Sequence, residues 1–180
     1  MTDASGPRGY APSMRILALV LAAAALPGCY TDCHPKARPS LSIGTGEFAY
    51  EPLDPADPTW TLVHGPQGGW HVLLGFEAHG LDATNVVVAE TRGYIDDELV
   101  AANDSAWLAF TCEEASSAEA DDYASSLQAK NLFLIFNVET HCGLDGQMLH
   151  VEATLPDSDG EPVTASMDGR IVDPEAGACE

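Results

Sequence analysis

Histidine and carboxylate side chains are the groups in this sequence whose spacing could support chemistry, and that chemistry would be metal binding. Six histidines accompany 28 acidic residues, and nitrogen and oxygen ligands suit zinc or copper. His71, Glu77 and His79 share one face of a strand because even numbers separate them. His71 and Glu77 would lie about 20 Å apart, too far for one ion. Glu77 with His79, or His64 with His71, remain as weak pairs, and an exposed polar face is the simpler interpretation.

The segment 64–72 (HGPQGGWHV) joins two predicted strands through three glycines and a proline. Such a loop needs backbone conformations that larger side chains would block. It resembles a GPQGGxH stretch of uncharacterised bacterial lipoproteins, and that resemblance implies no activity. One interpretation is a hairpin whose tryptophan anchors the core, and the other is a binding loop. The candidate binding residues are His64, Gln67, Trp70 and His71.

Sequence patterns that indicate catalysis are absent. The chain has no GxSxG elbow, HExxH helix, Walker loop or dinucleotide fingerprint. Serines and carboxylates are abundant, but abundance without convergence into a pocket identifies no general acid or base. We therefore predict a non-catalytic protein with no catalytic residues and no cofactor.

The charge balance is strongly acidic. The net charge is −21, and from Cys29 onward five basic residues stand against 27 acidic ones. Such a surface repels phosphate because both carry negative charge. Nucleic-acid recognition needs clustered lysine and arginine, which this chain lacks. Nucleic-acid binding is therefore excluded, and divalent cations, cationic proteins or water are the favoured surroundings.

An apolar run, 16–26, follows Met14 and Arg15 and ends at Pro27. A basic start, a short apolar core and a small-residue cleavage site are typical of a secretory signal. Residues 26–29 (LPGC) resemble the lipobox of bacterial lipoproteins. That resemblance implies that Cys29 is acylated and becomes the first mature residue. Residues 1–13 have no apolar period, so we expect translation to begin at Met14. Since such proteins carry two or three acyl chains, attachment to the membrane would be stable. We expect a cell-envelope protein, anchored at the outer membrane.

The chain has five cysteines, an odd number. If Cys29 is acylated, four remain, and an oxidising compartment allows them to pair. Four cysteines permit three connectivities, among which a sequence cannot choose. We prefer Cys33 with Cys179, which would clasp the domain ends, and Cys112 with Cys142. No pair has CxxC spacing, so redox catalysis and a zinc knuckle are not indicated.

The predicted organisation is a signal peptide (1–28), a lipid-anchored tether (29–45), one folded domain (46–172) and a C-terminal tail (173–180). The tether carries few apolar residues and two prolines, a composition that sets reach rather than fold. The domain has the commonest size of a single folding unit.

Within the domain the dominant hydrophobic period is two, as in strands with one buried face. It is clearest from Trp70 to Ala78, whereas 132–138 is apolar on both faces and predicts a central strand. Eight or nine short strands with regular turns indicate an all-β sandwich. The final hairpin, 147–171 with its Asp-Gly turn, resembles the last two strands of immunoglobulin-like and fibronectin-type modules. The segment 119–128 fits either a short helix or an acidic loop.

Two functions follow as hypotheses. The first is an envelope lipoprotein whose immunoglobulin/fibronectin-like antiparallel β-sandwich is an interaction or structural module for another envelope protein. The second is an envelope protein that binds metal through surface histidines and carboxylates. Calorimetry with zinc, copper and calcium separates them, because only the second predicts heat on titration.

Overall fold

A computed structural model of the 180-residue chain describes residues 38–66, 68–81, 87–113, 126–156 and 161–179. The predicted signal peptide, Cys29, Cys33 and Gln67 lie outside these residues. The described strands are β1 (Ser40–Gly44), β2 (Thr59–His64), β3 (Trp70–His79), β4 (Val87–Ile95), β5 (Glu98–Leu108), β6 (Thr111–Glu113), β7 (Ser126–Phe136), β8 (Met148–Pro156) and β9 (Pro162–Val172). A short 3₁₀ helix, Ala176–Cys179, follows them. The predicted all-β class is confirmed.

The strands form one sheet that closes on itself. Seven of them follow one another around a ring in the order β3, β2, β9, β8, β4, β5, β7, and β7 pairs back to β3. Strands β1 and β6 lie outside this ring, paired to β3 and β7 respectively. The pairs are antiparallel except for β2 with β9, which run parallel. The expectation of a wholly antiparallel sheet is therefore wrong at that one pair.

Alternation along β3 builds the middle of the core. Val72, Leu74, Phe76 and Ala78 are fully buried, as their period of two predicts. Side chains from β7, β8 and β9 pack against the same interior, including Leu134, Leu149, Leu155 and Ile171. Among the described residues, Trp60 of β2 is the largest buried side chain and is only 1% exposed. The tryptophan that anchors the core is therefore Trp60, while Trp70 is half-buried at the edge of the core.

The domain begins before the predicted boundary at residue 46. Five residues assigned to the tether form β1, whose Ile43 is 2% exposed. Ser40 pairs with His79 and Gly44 pairs with Gly75. These residues form a strand and not a tether because β3 extends beyond the end of β2. The backbone groups on that open edge of β3 form their hydrogen bonds with β1.

The predicted C-terminal tail is also part of the domain. Asp173 is 6% exposed, and the 3₁₀ helix that follows is joined to the body by a disulfide between Cys142 and Cys179. The Cα atoms of these cysteines lie 5.5 Å apart, a normal separation for a disulfide. The preferred pairs, Cys33 with Cys179 and Cys112 with Cys142, are both wrong. Cys112 is itself disulfide-bonded, so it is not available to Cys142.

Two further expectations change in β7. The predicted central strand 132–138 ends at Phe136, and it is not buried on both faces, since Phe133 is 43% and Ile135 is 51% exposed. Strand β7 lies inside the sheet, but no second layer covers its outer face at these two residues. The possible helix 119–128 is also excluded at its end, because Ser126 to Gln128 belong to β7. Residues 119–125 lie outside the described part.

Candidate functional site

The loop singled out in the sequence is the β2–β3 hairpin connection. The Gly65 N–H donates to the Gly69 carbonyl at 3.0 Å, and the Gly68 N–H donates to the Gly65 carbonyl at 3.0 Å. Gly68 and Gly69 have φ of 83° and 88°, which glycine adopts without steric cost. The glycines therefore satisfy turn geometry, as the hairpin interpretation predicts. The candidate Gln67, which lies between Gly65 and Gly68 in the sequence, is outside the described residues.

Three aromatic rings stack beside this loop. The rings of His64 and Trp70 are 4.7 Å apart between centroids, and those of Trp70 and His141 are 3.9 Å apart, both pairs near parallel. Stacking of aromatic rings stabilises their positions beyond the area that it buries. Trp70 thus holds the hairpin against His141, which belongs to the loop after β7.

A shallow cavity of about 240 Å³ opens between the loop and the outer face of β7. The hairpin contributes Gly65, Pro66, Trp70 and His71 to its wall, and the strand contributes Phe133 and Ile135. His71 pairs in register with Ile135, and its ring meets the ring of Phe133 edge-on at 4.6 Å. The structure therefore brings the predicted loop residues together with two apolar side chains that sequence reasoning placed in the interior.

His71 is more buried than the predicted exposed polar face would allow. It is 8% exposed, and farther along the same face the Thr45 hydroxyl donates to the Leu73 carbonyl at 2.9 Å. At Gly75 on this face the backbone of Thr45 and the ring of Tyr50 leave no room for a side chain, so the chain after β1 covers that part of the strand, while Phe133 packs against His71 itself. Burial, followed by the nearby His64, lowers the pKa of His71.

The lowered pKa of His71 makes a testable prediction about pH. The neutral form is favoured in the folded state, so the stability contributed by His71 is fully present above about pH 6.5, the ordinary pKa of histidine. This contribution is lost as the pH falls below that value. Replacing His71 with phenylalanine should flatten the fall in unfolding free energy between neutral and acidic pH. Urea titrations of both proteins across that range measure the slopes, and equal slopes would contradict the prediction.

The pKa of a second histidine, His150, which the sequence analysis did not single out, shifts in the opposite direction. His150 Nδ1 lies 2.7 Å from Asp168, and Nε2 lies 3.5 Å from Glu152. The hydrogen bond to Asp168, assisted by Glu152, raises the pKa of His150. Its contribution is present below about pH 6.5 and is lost as pH rises through the raised value. The variant His150→Asn is therefore the comparison of opposite sign for His71→Phe.

The weak metal candidates gain no third ligand in the described part of the chain. Glu77 accepts a hydrogen bond from Gln128 at 3.2 Å. His79, two residues farther along, is the last residue of β3. Among the described residues, His141, Cys142 and Cys179 form the one group of three potential ligands within 4.8 Å of one another. Its two sulfurs are bonded to each other, so they are not available as thiolate ligands.

Sequence reasoning missed a polar cluster behind Trp70. His141 Nδ1 lies 2.5 Å from Asp173 Oδ2, and His141 Nε2 lies 3.6 Å from Cys179 Sγ. These residues are far apart along the chain and are brought together by the loop after β7 and by the C-terminal segment. The adjacency of His141 and Cys142 is the one local signal that could have drawn attention to them.

Comparison with known proteins adds little. No protein-family model matches the chain, and no curated protein matches it. Among solved structures, a cohesin module from a family 33 glycoside hydrolase of Clostridium perfringens ATCC13124 is similar at 11% identity and a TM-score of 0.23. The match covers 75% of this chain and 97% of that module. Within the described residues, no helix is long and apolar enough to cross a bilayer.

Proposed function

We propose that this chain is an exported lipoprotein, anchored through Cys29 at the outer membrane, whose β-domain is a non-catalytic binding module for another envelope protein. The observation that carries the binding role is the cavity between the glycine loop and β7, which leaves Phe133 and Ile135 open to a ligand. We propose further that the closed sheet is a flattened sandwich of the immunoglobulin/fibronectin-like class.

The cysteine pairing supports the anchor. Cys142 bonds Cys179, and Cys112 is bonded elsewhere. With five cysteines in the chain, pairing within the chain leaves one of Cys29 and Cys33 over. Acylation of Cys29, which the LPGC motif implies, accounts for that odd residue and leaves Cys33 for Cys112.

The cavity supports a protein ligand. Exposed aromatic and aliphatic side chains next to backbone groups of a tight loop are typical of the central part of protein interfaces. The net charge of −21 favours a partner whose contact surface is basic, since complementary charge accelerates encounter. The ligand that fits this site is an apolar segment flanked by lysine or arginine.

The anchor is tested by labelling cells with a fatty acid that carries an alkyne. Wild-type protein should take up the label and should fractionate with membranes. Cys29→Ala should abolish both, because no other group would accept the acyl chain. Cys33→Ala is the matched control and should keep the label. Label that persists in Cys29→Ala would exclude the proposed anchor.

The binding site is tested by incorporating a photoreactive amino acid at single positions of this protein, expressed in its native host cells, and crosslinking it there. We expect a crosslinked partner from position 135 and none from position 99. Leu99 is the matched control because it is 53% exposed, close to the 51% of Ile135, and lies on another strand. Ile135→Ser should then remove most of the crosslink formed from position 133. The same adduct from position 99 would show that the cavity is not the site.

A further inference from the structure

The Cys142–Cys179 disulfide is open to solvent. Both cysteines are exposed, and the bond joins the loop after β7 to the last helical turn of the described chain. An exposed disulfide can be attacked by thiols, and the rate depends on which sulfur leaves and how well the protein stabilises it as a thiolate.

The two sulfurs have different surroundings. Cys179 Sγ lies 3.6 Å from His141 Nε2 and 3.9 Å from Nδ1. Nδ1 is committed to Asp173 at 2.5 Å, so its proton is donated to the carboxylate. Nε2 is then the nitrogen that can accept a proton and face the sulfur as part of an imidazolium.

Asp173 and Trp70 fix the imidazole. The Asp173 side chain is 1% exposed. Its second oxygen, Oδ1, accepts the backbone N–H of Glu175 at 2.8 Å. The backbone N–H of Asp173 donates to the Asp145 carboxylate at 2.9 Å. Trp70 stacks on the ring of His141 at 3.9 Å. A cysteine, a histidine and a buried carboxylate in this order resemble the arrangement that activates nucleophilic cysteines.

We propose that Cys142–Cys179 is a thiol-exchange site for thiols of low molecular weight. The incoming thiol reacts as its thiolate, its proton passing through solvent to His141 Nε2, and its sulfur attacks Cys142 Sγ on the side opposite Cys179. The bond between the two cysteines breaks, and its electron pair stays on Cys179 as a thiolate beside the imidazolium. The product is a mixed disulfide on Cys142. A second thiol releases Cys142, leaving two cysteine thiols and one oxidised disulfide of the incoming thiol. This chemistry is independent of the lipid anchor and of the cavity.

The position of the mixed disulfide tests the proposal in the wild-type chain. The full-length protein is exposed briefly to limiting glutathione, alkylated rapidly, digested and analysed by mass spectrometry. We expect glutathione on Cys142 and the alkyl group on Cys179, with the disulfide of Cys112 largely intact as an internal reference. Glutathione mainly on Cys179, or equal reaction at the Cys112 disulfide, would overturn the proposal.

A variant tests the part played by the imidazole. His141→Phe keeps a ring for Trp70 to stack on and removes both nitrogens. We expect exchange at Cys142–Cys179 to slow by about tenfold or more relative to the Cys112 disulfide, because an adjacent imidazolium stabilises the thiolate. An unchanged ratio in a folded variant would assign His141 a structural role alone. If the variant does not fold, the position of glutathione in the wild-type protein still decides.

Discussion

Replacing Trp60 with alanine is expected to lower the free energy of unfolding by about 3–5 kcal/mol, as large-to-small changes of buried aromatic residues do. Trp60 is 1% exposed, belongs to the core, and pairs in register with Ile171 of β9. Its indole packs on Gly169, where an added Cβ would lie 2.6 Å from the indole nitrogen. Truncation would therefore leave a cavity beside Gly169, which has no side chain to fill it. Denaturation with urea, followed by circular dichroism, measures the loss.

Two companion variants make the Trp60 result specific. Gly169→Ala should destabilise the domain by about 1–3 kcal/mol, since an added methyl group would overpack the indole. Trp107→Ala is the matched control, because Trp107 is 75% exposed; its effect should stay within about 0.5 kcal/mol. Comparable losses at positions 60 and 107 would mean that Trp60 does not anchor the core.

The second large effect is expected from removing the Cys142–Cys179 disulfide. The cysteines are 37 positions apart, and closing a loop of that size stabilises a fold by about 3–4 kcal/mol in the chain-entropy description. The double variant Cys142→Ala/Cys179→Ala should lose stability by that amount and should release residues 173–179 to proteolysis. Native-state digestion and urea titration check the two parts separately. A C-terminal segment that stays protected would show that Asp173 and its hydrogen bonds suffice to hold it.

The features that were predictable from the sequence are those that local pattern controls. The alternation of Val72, Leu74, Phe76 and Ala78 specifies a half-buried strand because side chains point to opposite faces in turn. The glycine-rich hairpin was predictable for a similar reason, since Gly68 and Gly69 adopt backbone angles that other residues avoid. Both inferences need only a few neighbouring residues.

The misplaced features depend on partners far away in the chain. Ile43 lies in a five-residue strand, SLSIG, and only the free edge of β3 shows why so short a segment forms a strand. Phe133 and Ile135 have interior composition, but whether a second layer covers them depends on the closure of the sheet. The disulfide partner of Cys179 and the site at His141 likewise required the approach of the C-terminal segment to the loop after β7.

The positions of β1 and β6 at the two ends of the strand order affect how readily molecules of this protein associate at high local concentration. A strand with unpaired backbone groups can template association with another molecule, and proteins limit this hazard by keeping such strands short. In the described sheet these terminal strands have only five and three residues. Under the proposed anchoring, molecules crowded on a lipid surface would therefore find little backbone to pair with at β1 and β6.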